Sequence, residues 1–156
     1  MNVRVGIGFD AHSFSKGRKL MLGGIEIPFE NGLVGHSDGD VVIHAIIDSL
    51  LGAAGLGDKG EHFGSADPDI ENIYSILLLN KVSDLLFRNN WLVSNIDVAI
   101  LAQEPILSPY IDDMAQKISE ALKITPKNVN LKVTSTDHLG FIGRTEGLAA
   151  YSIALV

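Results

Sequence analysis

The sequence contains no cysteine. Disulfides, thiolate nucleophiles and sulfur-ligated metal sites are therefore excluded, and any bound metal must use nitrogen and oxygen ligands. Long apolar runs are also missing, since no window approaches the roughly 18 uninterrupted apolar residues of a membrane span. The N-terminus has neither the basic start nor the apolar core of a signal peptide. These features predict a soluble, cytoplasmic protein.

Basic residues are few. The chain has 12 Lys and Arg against 19 Asp and Glu, which gives a net charge of -7 and a pI near 5.0. This balance argues against electrostatic binding to nucleic acid or to an anionic membrane. A phosphate-bearing substrate would need metal ions and backbone N–H groups to offset its charge. The length of 156 residues, without linkers or repeats, predicts one domain over 1–156.

Helical and strand patterns alternate along the chain. Apolar residues at every second position predict strands, and two apolar runs on either side of a Gly pair predict a hairpin. Apolar residues spaced three and four apart predict helices. We predict strands at 1–9, 95–101, 129–135 and 148–156, a hairpin at 19–29, a loop at 58–67, and helices over 37–55, 68–90 and 108–122. This order predicts an α/β or, as we expect here, an α+β fold with one mixed β-sheet and helices on one face.

Two acidic and imidazole clusters are candidate ligands. Asp10 and His12 are two apart at the end of the first predicted strand and should project together, while His44 shares a helix face with Asp40 and Asp48. Two histidines and one carboxylate suit a catalytic zinc with an open fourth position, but the same set also suits non-haem iron. The alternative is a solvated aspartate beside hydrogen-bonded histidines.

Four stretches could surround phosphates, because they combine hydroxyls, flexible backbone or a helix N-terminus. They are 36–37, 57–60, 134–136 and 140–144. The hydroxyls could equally cap turns, and Arg144 could be solvated or paired with Glu146. His62 and His138 are predicted to be surface residues.

Four motifs together resemble the 2-C-methyl-D-erythritol 2,4-cyclodiphosphate synthase family: GIGFDAH, GHSDGDVVIHA, LLGAAGLGD and TSTDHLGFIGRTEG, in matching order from Gly6 to Gly147. The resemblance implies a homotrimer with active sites between subunits. It implies a phosphorus–oxygen lyase of the non-mevalonate isoprenoid pathway that converts 4-diphosphocytidyl-2-C-methyl-D-erythritol 2-phosphate to the cyclic diphosphate and CMP. The chemistry would be a metal-assisted intramolecular phosphoryl transfer.

The resemblance also assigns roles to residues. Asp10, His12 and His44 would hold Zn²⁺, Asp137 would contact a second divalent cation, Mg²⁺ or Mn²⁺, and His36 with Ser135 would stabilise the transition state. The full set of implied substrate contacts is Asp10, His12, His36, Ser37, Asp58, Lys59, Gly60, Phe63, Asp67, Ala102, Pro105, Ile106, Leu107, Ser108, Thr134, Ser135, Thr136, Asp137, Phe141 and Arg144. Residues near the trimer axis, where some relatives hold an isoprenoid diphosphate, would be Phe9, Phe141, Arg144 and Glu146.

Some positions depart from the family pattern. Ile106 replaces a common lysine, Asp137 is one methylene shorter than the usual glutamate, Ser135 replaces threonine, and the loop over 64–67 lacks its usual first aspartate. Since none of these touches the proposed zinc ligands, we expect an active enzyme with altered affinity. Two alternatives stay open: a zinc-dependent phosphohydrolase that uses water, and a trimeric protein that binds isoprenoid diphosphates without reaction.

Overall fold

The computed structural model describes residues 3–64 and 66–156. Its strands are β1 Val5–Lys16, β2 Leu20–Leu22, β3 Ile25–Ile27, β4 Asn31–Leu33, β5 Asn95–Leu101, β6 Val129–Thr134 and β7 Gly147–Leu155. Its α-helices are α1 Val41–Ala54, α2 Lys59–His62, α3 Ser75–Arg88, α4 Ile111–Leu122 and α5 Gly140–Gly143. Three short 3-10 helices cover Pro68–Ile70, Ser108–Tyr110 and Pro126–Asn128. Part of the first predicted strand (Met1 and Asn2), and Ser65 in the predicted loop, lie outside the described residues.

One mixed sheet organises the chain. The strand order is β4-β1-β7-β5-β6, in which only β5 and β6 run parallel, and β2 pairs with β3 in a separate hairpin. Helix α1 packs on β1 and β7, α4 packs on β6, and α3 packs on α1 and α4. The α+β prediction with one mixed sheet is confirmed.

Helix α1 lies unusually close to the first strand. A Cβ atom at Gly6 or Gly8 would overlap the backbone of α1, at Ser49 and Ala45 respectively. Because side chains alternate along a strand, Asp10 and His12 continue the row that these glycines begin and so face α1 as well. The glycines therefore bring the helix against the strand at the point where the polar residues lie.

The opposite face of β1 and β7 is exposed and apolar. Val5, Ile7 and Phe9 alternate with the helix-facing residues, and Phe9 stacks against Tyr151 with ring centroids 4.7 Å apart. Ile7 is 69% exposed and Ile153 is 50% exposed. Such a contiguous apolar surface on a sheet marks an interaction surface.

Several predicted boundaries were wrong. Strand β1 runs on to Lys16, because its residues pair with β7 as far as Ser13 and then with β4, so Asp10 and His12 lie within the strand and not at its end. Helix α1 is capped by Asp40, whose carboxylate accepts the N–H of Ile43 at 3.1 Å, and not by Ser37. The helix predicted over 68–90 is a 3-10 turn followed by α3, since Asn72 adopts a left-handed conformation between them.

Among the described residues, no helix combines the length and the apolar character needed to cross a bilayer.

Candidate active site

Three predicted ligands converge between β1 and α1. Asp10 Oδ2 lies 2.9 Å from His12 Nε2 and 2.8 Å from His44 Nδ1, and the two imidazole nitrogens are 3.3 Å apart. Separations of this size are those between ligands of one small cation, whose bonds to nitrogen and oxygen are about 2.0–2.2 Å long. Two nitrogens and one carboxylate oxygen fit a divalent cation, so the predicted cluster is confirmed as a candidate metal site.

The charges around this cluster favour an ionised carboxylate and a neutral imidazole. Burial opposes ionisation of Asp10, but hydrogen bonds from His12 and His44, with the Lys59 ammonium 3.4 Å away, hold the pKa of Asp10 well below its ordinary range. Burial lowers the pKa of His44, and this outweighs the hydrogen bond to Asp10 that raises it. Both groups are thus in the form that binds a cation.

The other ring nitrogen of His44 faces a buried polar cluster. His44 Nε2 lies 2.9 Å from Ser75 Oγ and 3.0 Å from Ser37 Oγ. Asp38 in turn accepts hydrogen bonds from both the backbone N–H and the hydroxyl of Ser75. Asp40 and Asp48, which the helix pattern placed on the face of His44, have other roles: Asp40 caps α1, and Asp48 accepts the N–H of Lys59 at 2.7 Å.

A cavity of about 270 Å³ opens beside the metal cluster. Its lining combines two of the candidate ligands with residues of the loop before α1, of helix α2 and of α3: His12, His36, Ser37, His44, Lys59, Gly60, Phe63, Ile70 and Leu78. Asp58 caps α2 by accepting the N–H of Glu61 at 3.0 Å, which holds Lys59 and Gly60 at the cavity. The structure therefore brings together the sites predicted at 10–12, 36–37, 44 and 58–63.

The other predicted site residues form a second cluster. Ala102 donates its N–H to Thr134 at 3.0 Å, and His138 donates its N–H to the side chain of Gln103 at 3.1 Å, so the loop after β5 adjoins the loop after β6. Ser135 and Asp137 are exposed there, with the Ser135 hydroxyl 3.4 Å from the Asp137 carboxylate. Within the described part of one chain, none of these residues lines the 270 Å³ cavity.

The remaining predicted residues are placed as follows. Leu107 and Ala102 are buried, whereas Ile106 is 78% exposed. Asp67 caps a 3-10 turn through the N–H of Asp69. Arg144 pairs with Glu146 at 2.7 Å, which settles the open alternative in favour of the ion pair. Phe141, Ser108, Pro105 and Thr136 are exposed or half-buried, and His62 and His138 are surface residues as predicted.

Sequence reasoning missed Ser75 entirely and gave Asp38 no role. A serine before the apolar run of α3 indicates only a helix start. Its contact with His44, 31 residues away, depends on the packing of α3 against α1.

The chain is similar to known proteins along nearly its whole length. The YgbB family model matches residues 3–156. A protein of Caldicellulosiruptor bescii is 50% identical over 153 residues, covering 98% of this chain and 98% of its own length, and one of Pelotomaculum thermopropionicum is 51% identical over 154 residues, covering 99% and 95%. Both are named 2-C-methyl-D-erythritol 2,4-cyclodiphosphate synthase.

Solved structures share the fold. The bifunctional IspDF from Campylobacter jejuni superposes with a TM-score of 0.92 at 39% identity, covering 99% of this chain, which spans only 42% of that longer protein. The Plasmodium falciparum IspF in complex with CDP superposes with a TM-score of 0.86 at 29% identity, covering 99% of this chain and 95% of its own.

Proposed function

The chain belongs to the YgbB family, and from that membership we propose that it catalyses the reaction for which its curated relatives are named, the formation of 2-C-methyl-D-erythritol 2,4-cyclodiphosphate in isoprenoid-precursor synthesis. The substrate would be 4-diphosphocytidyl-2-C-methyl-D-erythritol 2-phosphate. The observation that carries the proposal is the convergence of Asp10, His12 and His44 beside a cavity lined by His36, in a chain about half identical to the named synthases.

The proposed reaction needs no protein nucleophile. An oxygen of the 2-phosphate attacks the β-phosphorus of the diphosphate, and the new phosphorus–oxygen bond closes the ring. The bond from the β-phosphorus to the bridging oxygen breaks, and that oxygen leaves with CMP, so no water is consumed. Because nucleophile and electrophile belong to one molecule, the protein's task is to position them and to offset their charge, as in a phosphorus–oxygen lyase.

Asp10, His12 and His44 would hold a divalent cation, which we propose is Zn²⁺. When bound, this cation supplies Lewis-acid polarisation of a phosphate oxygen. The protein's own donors then complete the anion site. His36 and Lys59 line the cavity, and the Lys59 ammonium offers a positive charge next to Asp10. We propose that His36 donates to the oxygen on which charge develops, as electrostatic stabilisation requires.

The second cluster would bind the nucleotide and the diphosphate. A structural relative is a complex with CDP, which supports a cytidine pocket formed by the backbone of 102–108. Ser135 would donate a hydrogen bond to the transition state, and Asp137 would hold a second divalent cation, Mg²⁺ or Mn²⁺, near the diphosphate. Because the cavity of one chain does not include these residues, one substrate would span two chains.

This separation supports a homotrimer with active sites between subunits. The exposed apolar face formed by Val5, Ile7, Phe9, Tyr151 and Ile153 is the surface on which subunits would associate. Arg144 and Phe141 would lie near the axis, where an isoprenoid diphosphate could bind. A cytoplasmic location also stays a prediction.

Phosphorus NMR tests the proposal directly. Purified protein with Zn²⁺, Mg²⁺ and the diphosphocytidyl substrate should yield a cyclic diphosphate and CMP in equal amounts. CMP with only linear phosphates would indicate a hydrolase, and binding without any turnover would indicate a binding protein. Either result would overturn the synthase proposal.

A further inference from the structure

The polar atoms behind His44 determine where the hydroxyl proton of Ser75 points. Asp38 accepts the backbone N–H of Ser75 at 2.9 Å, the N–H of Asp40 at 3.1 Å, and the Ser75 hydroxyl. A carboxylate can accept hydrogen bonds but cannot donate them. The single hydroxyl proton of Ser75 is therefore directed to Asp38, and Ser75 Oγ can only accept from its other neighbours.

This arrangement supports one tautomer of His44. Ser75 Oγ lies 2.9 Å from His44 Nε2, and since the serine can only accept, it is a ready acceptor for a ring hydrogen on Nε2. A hydrogen on Nε2 leaves the lone pair of Nδ1 for a cation shared with Asp10 Oδ2, 2.8 Å away, and His12 Nε2, 3.3 Å away, in place of the hydrogen bond that Nδ1 makes to Asp10. Imidazole binds a metal through an unprotonated nitrogen, so this is the tautomer that the candidate metal site requires.

We propose that Asp38 and Ser75 are positioning residues that hold His44 in its metal-binding tautomer and orientation. The proposal rests on the proposed metal site of Asp10, His12 and His44. Ser75 is fully buried and His44 is 5% exposed, so water does not readily replace the serine as acceptor. Ser37 Oγ also lies near His44 Nε2, at 3.0 Å. Among the described contacts no carboxylate accepts the Ser37 hydroxyl proton, so Ser37, unlike Ser75, can act as donor or acceptor.

The same contacts tie the site to a second helix. Ser75 is the first residue of α3, and Asp38 caps this helix from a distant loop by accepting the Ser75 N–H. Two backbone hydrogen bonds also join the loop before α1 to the segment before α3. Asn72 N–H donates to the carbonyl of His36 at 2.9 Å, and Asp38 N–H donates to the carbonyl of Ile73 at 3.2 Å. A carboxylate at a helix N-terminus also interacts favourably with the helix dipole.

Zinc affinity tests the proposal, measured by competition with a chelator. Ser75→Ala removes the acceptor and should weaken zinc binding about 10- to 100-fold, the usual effect of losing an outer partner of a ligating histidine. The matched control is Ser49→Ala, because Ser49 is equally buried on the helix of His44 but hydrogen-bonds Ser152 at 2.8 Å, away from the site. Ser49→Ala should bind zinc like the unaltered protein, even if both variants lose stability.

Two further measurements separate the possible failures. His44→Ala removes a proposed ligand; if it binds zinc normally, the metal site is wrong and the positioning proposal falls with it. If His44→Ala loses zinc while Ser75→Ala keeps the unaltered affinity, only the positioning proposal is overturned. Should Ser75→Ala fail to fold, nitrogen-15 NMR of the unaltered zinc-loaded protein should show a slowly exchanging proton on His44 Nε2. An Nε2 without a proton would overturn the proposal.

Discussion

At the scale of single residues, Ile106 is a large apolar side chain that lies mostly in solvent. It is 78% exposed in the loop that we propose binds cytidine, next to the buried Leu107. The resemblance described in the sequence analysis implies a lysine at this position. A lysine there could approach the diphosphate of a bound nucleotide and form a charge-assisted hydrogen bond.

The first prediction follows from this exposure. Ile106→Lys should tighten binding of CDP roughly 2- to 5-fold, because an added cation near the diphosphate in a largely solvated site is worth up to about 1 kcal/mol. Isothermal titration of CDP measures this. Leu92→Lys is the matched control, since Leu92 is 72% exposed elsewhere and gives the same change of net charge. Equal dissociation constants for Ile106→Lys and the unaltered protein would contradict our interpretation of this position.

Asp40 is a fully buried carboxylate that holds three backbone N–H groups. It accepts from Gly23, Gly24 and Ile43 at 2.8 to 3.1 Å, and so joins the β2–β3 hairpin to the start of α1. Burial, with the negative charge of Asp38 nearby, raises the pKa of Asp40 to about 7, against the lowering effect of the three N–H donors.

The second prediction is a dependence of stability on pH. Between pH 4 and pH 7 the folded chain keeps a proton on Asp40 that the unfolded chain, with a pKa near 3.8, has lost. The folded state therefore binds more protons, and its stability falls as pH rises through this range, by on the order of 2 to 4 kcal/mol. Urea unfolding of metal-free protein at pH 5 and pH 8, compared with the non-titrating Asp40→Asn, isolates this contribution.

The advantage of aspartate over asparagine at position 40 should accordingly be larger at pH 5 than at pH 8. A constant difference across this range would mean that Asp40 is already ionised at the lower pH and that its three N–H donors outweigh its burial.

At the scale of elements, the contact of β1 with α1 brings the candidate metal ligands together, and this contact depends on glycine. A methyl group at Gly8 would overlap the carbonyl oxygen of Ala45, which is next to His44 on α1. The strand carries Asp10 and the helix carries His44, so any separation of the two elements separates two proposed ligands.

The third prediction is that Gly8→Ala lowers both stability and zinc affinity. The overlap must push α1 away from β1, at a cost of about 1 to 3 kcal/mol in the free energy of unfolding, with a parallel loss of zinc binding. Gly52→Ala is the control on the same helix, because the nearest atom to its added Cβ is Ile7 O at 4.0 Å. This control should gain about 0.5 to 1 kcal/mol from helix propensity and bind zinc normally. Normal zinc affinity in Gly8→Ala would show that the site tolerates the displacement.

The sequence predicted the elements better than their ends, and the ligands better than their supports. Asp10 and His12 were found because a strand has a period of two, and His44 because it follows a clear helix start. Asp38 and Ser75 could not be found, since their contacts with each other and with His44 arise only when the loop before α1 meets α3. Local pattern carries no information on such distant pairs.

At the scale of the whole molecule, the proposed reaction needs two clusters that lie apart in one chain. The candidate ligands His12 and His44 line one cavity together with His36 and Lys59, while Ser135, Asp137 and the 102–108 loop lie outside it in the described chain. A single substrate carries the phosphate, diphosphate and cytidine groups that the two clusters would bind. The exposed apolar sheet face around Ile7 and Ile153 gives copies of the chain a surface on which to associate.

The fourth prediction concerns subunit mixing. His44→Ala damages one cluster and Ser135→Ala damages the other, so each variant alone should be inactive for its own reason. Suppose that each site joins the first cluster of one chain to the second cluster of its neighbour. A site is then intact only where a Ser135→Ala chain supplies the first cluster and a His44→Ala chain supplies the second, so random equal mixing gives one intact site in about four. Unfolding and refolding the two variants together should therefore restore about one quarter of the activity of the unaltered protein, whereas refolding each alone should restore none. If instead each site lies within one chain, every chain in the mixture carries a damaged cluster, and co-refolding would recover nothing.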